Sequence, residues 1–225
     1  ILAFILRLQI QTPLTHKKNF NQELSMTQFD HDTKEFLSQP FDGVNLSAQE
    51  LQDTEFDDCT FTGCDFSGAT FDKCRFIDCH FQKCNLSLAQ FKYCRLNDVS
   101  FQECKLVGVD WTKADWPNLA LSSPISFEQC ILNDSSFFGL HLAEIRLREC
   151  KVHNADFTDT NLNHGEFCYS DFTGSTFART NLESSDFTEA TEYDIDINNN
   201  RIQGAKFTRY EAARLLSHLG IELVD

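Results

Sequence analysis

Three kinds of side chain in this 225-residue chain could do chemistry: ten cysteines, seven histidines and 34 acidic residues. Convergent thiolates hold metals, close thiols form disulfides, and a thiol beside a base becomes a nucleophile. Here the cysteines follow a spacing that suits none of these. Cys59, Cys64, Cys74, Cys79, Cys84, Cys94 and Cys104 recur at multiples of five, and Cys130 and Cys150 continue after a one-residue shift, with Cys168 standing apart. His16, His31, His80, His141, His153, His164 and His218 show no ligand spacing, and neither a glycine-rich phosphate loop nor a nucleophile elbow is present. The expectation is a protein that is not an enzyme, with no catalytic residue, cofactor or metal, whose cysteines are small buried thiols in a reducing compartment.

The cysteine spacing belongs to a larger pattern. Phe56, Phe61, Phe66, Phe71, Phe76 and Phe81 stand five apart, and Leu86, Phe91, Leu96, Phe101, Leu106, Trp111, Trp116 and Leu121 extend the series. Backwards it reaches Leu51, Leu46, Phe41 and Phe36. One six-residue step near Pro124 leads to Phe127, after which period five runs to Phe187, breaks at Glu192 and returns at Ile197, Ile202 and Phe207. Eighteen of the 22 Phe fall on these central positions, which marks a solenoid. Two residues before most centres stands a small or medium side chain: cysteine in the first half, and Ser, Thr, Ala or Gly later. Residues two apart on a strand share a face. Each unit therefore sends two side chains inward from a three-residue strand and turns at a two-residue corner rich in Asp, Asn, Ser and Gly. At Glu192 a buried carboxylate would be costly, so a bulge with Tyr193 turned inward is expected. Trp111 and Trp116 are expected to fill the core.

Strings such as CDFSGATF (64–71), ADFTDTNL (155–162) and SDFTGSTF (170–177) resemble the pentapeptide-repeat family over residues 36–207. The resemblance implies an all-β fold, a right-handed quadrilateral β-helix with four units, hence 20 residues, per coil. At ~4.8 Å per coil the rod would be roughly 40 Å long. Cys64, Cys84 and Cys104 would then stack in a one-sided column, a poor geometry for a metal. Residues 1–25, an apolar run broken by Arg7 and ahead of the only methionine, Met26, are read as an upstream extension outside the fold. A start at Met26 would leave no leader and a cytoplasmic protein. The β-helix is assigned to 26–207.

Residues 208–225 leave the repeat. Thr208 and Glu211 form a capping-box pattern, Ala212, Leu215, Leu216 and Leu219 an apolar stripe, and Gly220 a stop, so a short C-terminal α-helix is expected. Tyr210, Leu215, Leu216, Leu219, Ile221 and Leu223 offer more apolar surface than an end cap needs, which points to a homodimer through this segment. The tail is similar to that of the quinolone-resistance (Qnr-type) pentapeptide proteins. The strings GVDWTKADWPN (108–118), SFEQCILNDSSFFGL (126–140) and IELVD (221–225) are similar to albicidin-resistance pentapeptide proteins. The one-residue step near Pro124 and the fault at Glu192 are the only irregularities expected, in place of the two loops typical of quinolone-protecting members.

Net charge is −15, which sets the chain against phosphate and against anionic membranes, so neither nucleic acid nor membrane is expected as a direct partner. Residues 152–200 hold 10 acidic residues and one basic, whereas 59–151 are nearly balanced. Asp156, Asp159, Glu166, Asp171, Glu183, Asp186, Glu189, Asp194 and Asp196 occupy outward positions and form the candidate partner-binding face. Spread over ~12 Å of axis, this charge approaches that of duplex DNA, at one charge per ~1.7 Å. With the resemblance it implies a DNA mimic that binds DNA gyrase, and by extension topoisomerase IV, and protects it from an inhibitor such as albicidin or a quinolone. The alternative is a scaffold solenoid with another protein partner.

Overall fold

The structure, a computed structural model, describes residues 30–116 and 123–221. The upstream extension, Leu121 and Leu223 lie outside the described residues. The chain forms a parallel β-solenoid of about eight coils with four faces. Glu35–Leu37, Glu55–Asp57, Arg75–Ile77 and Arg95–Asn97 stack as the first face, pairing Phe36 with Phe56, Phe76 and Leu96. Pro40–Asp42 begins the second face, which runs through Thr60–Thr62, His80–Gln82, Val99–Gln102, Ile125–Glu128 and Arg146–Arg148. The third face is a file of single bridges from Asn45 to Thr191. Glu50–Gln52, Thr70–Asp72 and Gln90–Lys92 open the fourth.

Every central residue expected inward between Phe36 and Phe187 is buried wherever the structure describes it, with the one exception of Trp116. The rings stack along the axis: Phe56 lies 5.2 Å from Phe36 and 5.1 Å from Phe76, nearly parallel to both. Around each coil they meet edge to face, as Phe71 meets Phe76 at 5.4 Å. Both geometries suit the ring quadrupole.

The small inward residue does more than fill space. The thiol of Cys59 donates to the carbonyl of Phe36 at 3.5 Å, that of Cys74 to Leu51 at 3.5 Å, and that of Cys104 to Phe81 at 3.4 Å. Further along, hydroxyls take the same role: Thr160 to Phe137 at 2.9 Å, Ser170 to Leu147 at 2.7 Å, and Ser185 to Leu162 at 2.9 Å. The central carbonyl is thus satisfied from the next coil by whichever small donor stands there. Cys64, Cys84, Cys104, Cys130 and Cys150 share one column, and all the cysteines among the described residues are free thiols. Donation of their own thiol proton to the sulfur of the following coil, followed by burial, pushes Cys84 and Cys104 up to about 12, so both are protonated and inert at neutral pH.

The corners need left-handed backbone. The residue two after most centres has positive φ, and most of these are not glycine: Asp58 at 53°, Lys73 at 54° and Asp78 at 49°. That conformation costs an L-residue roughly 1–2 kcal/mol. The ladder enforces it, because the same residue's N–H donates to the adjacent coil, as Asp58 does to Ile77 at 2.9 Å. Glycine is required where space is also short. A Cβ on Gly108 would sit 2.7 Å from Leu88 Cδ2.

Three expectations are corrected. Phe101 pairs with Phe127, so this coil spans 26 residues rather than 20: the insertion is six residues, not one. The five-residue count hid it, because six extra residues equal one skipped unit plus one. Trp116, at the edge of this insertion, is only half-buried; its indole donates to the Trp111 carbonyl at 2.7 Å, while Trp111 is fully buried. Just after Glu192 the register shifts by two, and it returns by Arg201, so that Phe207 pairs with Phe187 as expected. Tyr193 turns inward as expected and is fully buried, but Ile195, not Ile197, takes the central position and pairs with Phe177. Asn200 then fills the small-donor position, and its amide nitrogen donates to the Phe177 carbonyl at 2.9 Å.

Two core substitutions follow. Phe76→Ala should destabilise by ~3–5 kcal/mol through the cavity left in the ring stack. Cys74→Ser should change stability by less than ~1 kcal/mol, because the hydroxyl inherits the bond to Leu51. Denaturant midpoints check both; a Cys74→Ser loss as large as that of Phe76→Ala would deny the donor role.

Candidate partner-binding surface

The outward positions flank each centre, so every exposed side chain lies one coil away from the same position above and below. None of the nine candidate acidic residues is buried, and together they are spread over all four faces. Glu166 and Asp186 follow one another on the second face, Asp171 lies on the third, Asp156, Asp194 and Asp196 on the fourth, Glu183 on the first, and Asp159 and Glu189 at corners.

Most of these carboxylates have cationic partners. Asp159 is held by Arg179 at 2.6 and 2.7 Å, a two-pronged pair. Glu183 pairs with Arg201 at 2.8 Å, Asp186 with Lys206 at 3.0 Å, and Glu166 with Arg146 at 3.8 Å. Asp171 lies 2.8 Å from His153 and Asp194 lies 2.6 Å from His218. Glu189 accepts the Thr208 hydroxyl at 3.3 Å. Asp156 and Asp196 accept only neutral N–H groups among the described residues, from Thr158 at 2.9 Å and from Asn198 at 2.9 Å.

The linear charge count missed these partners. Arg146 precedes the acidic segment and Arg201 and Lys206 follow it, yet each lies one coil from its acid. A signal was available: opposite charges 20 residues apart, as in Asp159 and Arg179 or Asp186 and Lys206, recur along the rod. The acidic residues thus make up a striped surface in which four carboxylates are paired with arginine or lysine, two with histidine, and three, Asp156, Glu189 and Asp196, with neither among the described residues.

Local hydrogen bonds tune individual acids. Partial burial raises Asp186, but the Thr188 hydroxyl and N–H and the Lys206 ammonium outweigh it and bring the carboxyl down to about 2. The hydrogen bond from Arg179 likewise holds Asp159 below the usual carboxylate range.

At the end of the rod, residues Glu211–Leu219 form a 3-10 helix rather than an α-helix. Thr208 is not its cap: its hydroxyl accepts the N–H of Glu189 at 2.7 Å, on the previous coil. The helix begins at Tyr210 without a side-chain cap, and Ala213 N–H reaches the Tyr210 carbonyl at 3.4 Å, a tightened first turn. Gly220 ends it at φ 66°. Leu215 packs against the core cluster, and Leu216 is also half-buried, whereas Tyr210, Leu219 and Ile221 are exposed. The expected apolar set therefore divides into a docked part and an outward part.

The pentapeptide repeat region family matches residues 54–123 and 109–187. The chain belongs to the pentapeptide-repeat family. Solved structures of this fold are similar to it. A trypsin-treated variant of QnrB1, a plasmid-mediated fluoroquinolone resistance protein, has a TM-score of 0.56 at 20% identity, covering 85% of this chain and 98% of its own. Full-length QnrB1 has a TM-score of 0.51 at 20% identity, covering 83% and 100%. HetL, a pentapeptide-repeat protein involved in heterocyst differentiation regulation from the cyanobacterium Nostoc sp. strain PCC 7120, has a TM-score of 0.54 at 14% identity, covering 77% and 86%. At these identities the likeness is one of fold. No curated protein matches the chain. Among the described residues of this pentapeptide-repeat chain, no group of three or more His, Cys, Asp or Glu could hold a metal ion, and no helix is long and apolar enough to cross a membrane.

Removing the donors to Asp186 tests this electrostatic picture. Thr188→Val or Lys206→Ala should raise the Asp186 pKa from about 2 toward its ordinary 3.8. The depressed folded-state value contributes stability above pH ~4 that is lost as pH falls toward ~2. NMR titration and denaturant midpoints across that window should show the wild type losing more stability on acidification than either variant.

Proposed function

We propose that this protein is a non-enzymatic DNA mimic that binds DNA gyrase, and by extension topoisomerase IV, and protects the enzyme from an inhibitor such as albicidin or a quinolone. The observation that carries the reading is a rigid rod whose acidic residues are all displayed outward, in a fold shared with a fluoroquinolone resistance protein. Paired carboxylates remain accessible, so a basic DNA-binding saddle can exchange with Arg179, Arg201 or Lys206 for them. Asp156 and Asp196, without a cationic hydrogen-bond partner among the described residues, are the points where such a saddle gains most. The six-residue insertion between Trp116 and Phe127 gives the rod a loop-sized interruption of its coils. A quinolone therefore stands beside albicidin as the inhibitor to test.

A homodimer through the C-terminal segment would double the acidic rod. Tyr210, Leu219 and Ile221 face outward and are the proposed contact, and Leu215 and Leu216 support the helix from beneath. The scaffold reading keeps one specific observation in its favour: the ion pairs leave the acidic segment far less charged than its composition states. A regulator of differentiation on the same fold illustrates that alternative.

Two experiments test the proposal. Binding to purified gyrase should weaken steeply with salt, as charge-driven association does. Asp156→Asn with Asp196→Asn should weaken it at least as much as Asp159→Asn with Glu183→Gln, since the first pair removes uncompensated charge. Salt-independent binding, or none, removes the DNA-mimic reading. Leu219→Arg with Ile221→Glu should give a monomer by light scattering with its coils intact; an unaltered protein that is monomeric at micromolar concentration removes the dimer.

A further inference from the structure

The register break at Glu192 and the C-terminal helix fit one another. The repeat would place residue 192 in the core; instead Glu192 sits outside at φ 55°, and Tyr193 and Ile195 take the inward places. The shift leaves Glu192, Asp194 and Asp196 close together on the outside of the last coil. Two cations of the helix reach back to them. Arg214 bonds Glu192 at 2.5 Å and, on its own helix, Glu211 at 2.6 Å; His218 bonds Asp194 at 2.6 Å.

Little else holds the helix down. It contains no buried residue, and Leu215 is its one side chain packed on the core cluster. Tyr193 lies beneath it, fully buried, with a hydroxyl that has no hydrogen-bond partner among the described residues and a pKa pushed up to about 12 by burial and by Glu211. An element with so little buried apolar area opens at low free-energy cost.

We propose that the C-terminal helix is an ion-pair latch, seated on the register break through Arg214 and His218, which pairs with the exposed Glu192 and Asp194 when closed and frees their charge for the acidic surface when open. Arg214 keeps its charge at any relevant pH, so it supplies the salt-sensitive part. His218 supplies the pH-sensitive part. The groups facing it are Asp194, which its ring bonds, and Asp196, and both favour the imidazolium and raise its pKa. A raised folded-state value means that the His218 contribution is complete below its ordinary 6.5 and is lost as pH rises through the folded value. The latch therefore closes in mildly acidic, low-salt solution and loosens as either pH or salt increases. The use of the freed carboxylates by a topoisomerase rests on the reading above; the latch itself does not.

Amide hydrogen exchange of the whole chain tests it without any topoisomerase present. Protection of residues 212–219, corrected for intrinsic rates, should fall about two- to fivefold between pH 5.5 and 8.5, and similarly between low salt and 1 M salt, the range that exposed ion pairs command. His218→Gln should show low protection with no pH dependence, and Arg214→Gln reduced protection at every pH. Core amides around Phe76 and Phe101 serve as the internal reference and should not respond. Helix protection that is flat in pH and salt, a wild-type pH profile in His218→Gln, or core amides that move with the helix would each overturn the latch.

Discussion

The hydrogen-bond ladder between coils is the constraint from which the rest of this protein follows. A regular coil must return to its starting face after 20 residues for its N–H groups to meet the carbonyls of its neighbour, and most corner residues must accept left-handed backbone for that return. The central carbonyl stays inside the rod and needs a donor from the following coil. Cysteine, serine, threonine and, once, asparagine supply it. This explains why a position that looks merely small carries so many sulfur and oxygen atoms: it satisfies the backbone as well as packing between rings. Nine of the ten cysteines, all but Cys168, are therefore part of the architecture.

The ladder also governs charge. Stacked outward residues are neighbours at the coil spacing, ~4.8 Å, whatever their separation in sequence. Columns of alternating charge result, as where Arg75 bonds Glu55 and Arg95 bonds Asp115 at 2.9 Å. Exposed pairs of this kind contribute little to stability, in the range ~0.2–1 kcal/mol each. Their larger effect is on recognition: a partner meets stripes of paired charge interrupted by a few uncompensated carboxylates, and binds by exchanging one set of ion pairs for another.

At the C-terminal end the ladder yields to electrostatics. Two residues out of register are enough to turn Glu192 outward and bring Ile195 into the core, and the exposed acids that result are the seat of the helix. Thr208 illustrates the same competition. Its hydroxyl serves Glu189 of the previous coil rather than the first turn of the helix, and the helix winds more tightly for want of a cap.

Period five, the two inward positions, the polar corners and the inward Tyr193 were legible in the sequence because each depends on a single residue's environment repeated many times. The family strings supplied the four-sided coil, which periodicity by itself does not determine. The outward placement of the nine acids was also legible, since it follows from their place in the unit. What only the tertiary structure decided were relations between coils. A skipped unit is invisible to a count of five, so the six-residue insertion emerged only when Phe101 was seen beside Phe127. The partners of Glu166, Glu183 and Asp186 lie outside the segment that seemed so acidic, because the ladder, not the chain, makes them neighbours. Local patterns fix which side of the rod a residue faces; stacking fixes what it meets there, and charge neutralisation is a property of that meeting.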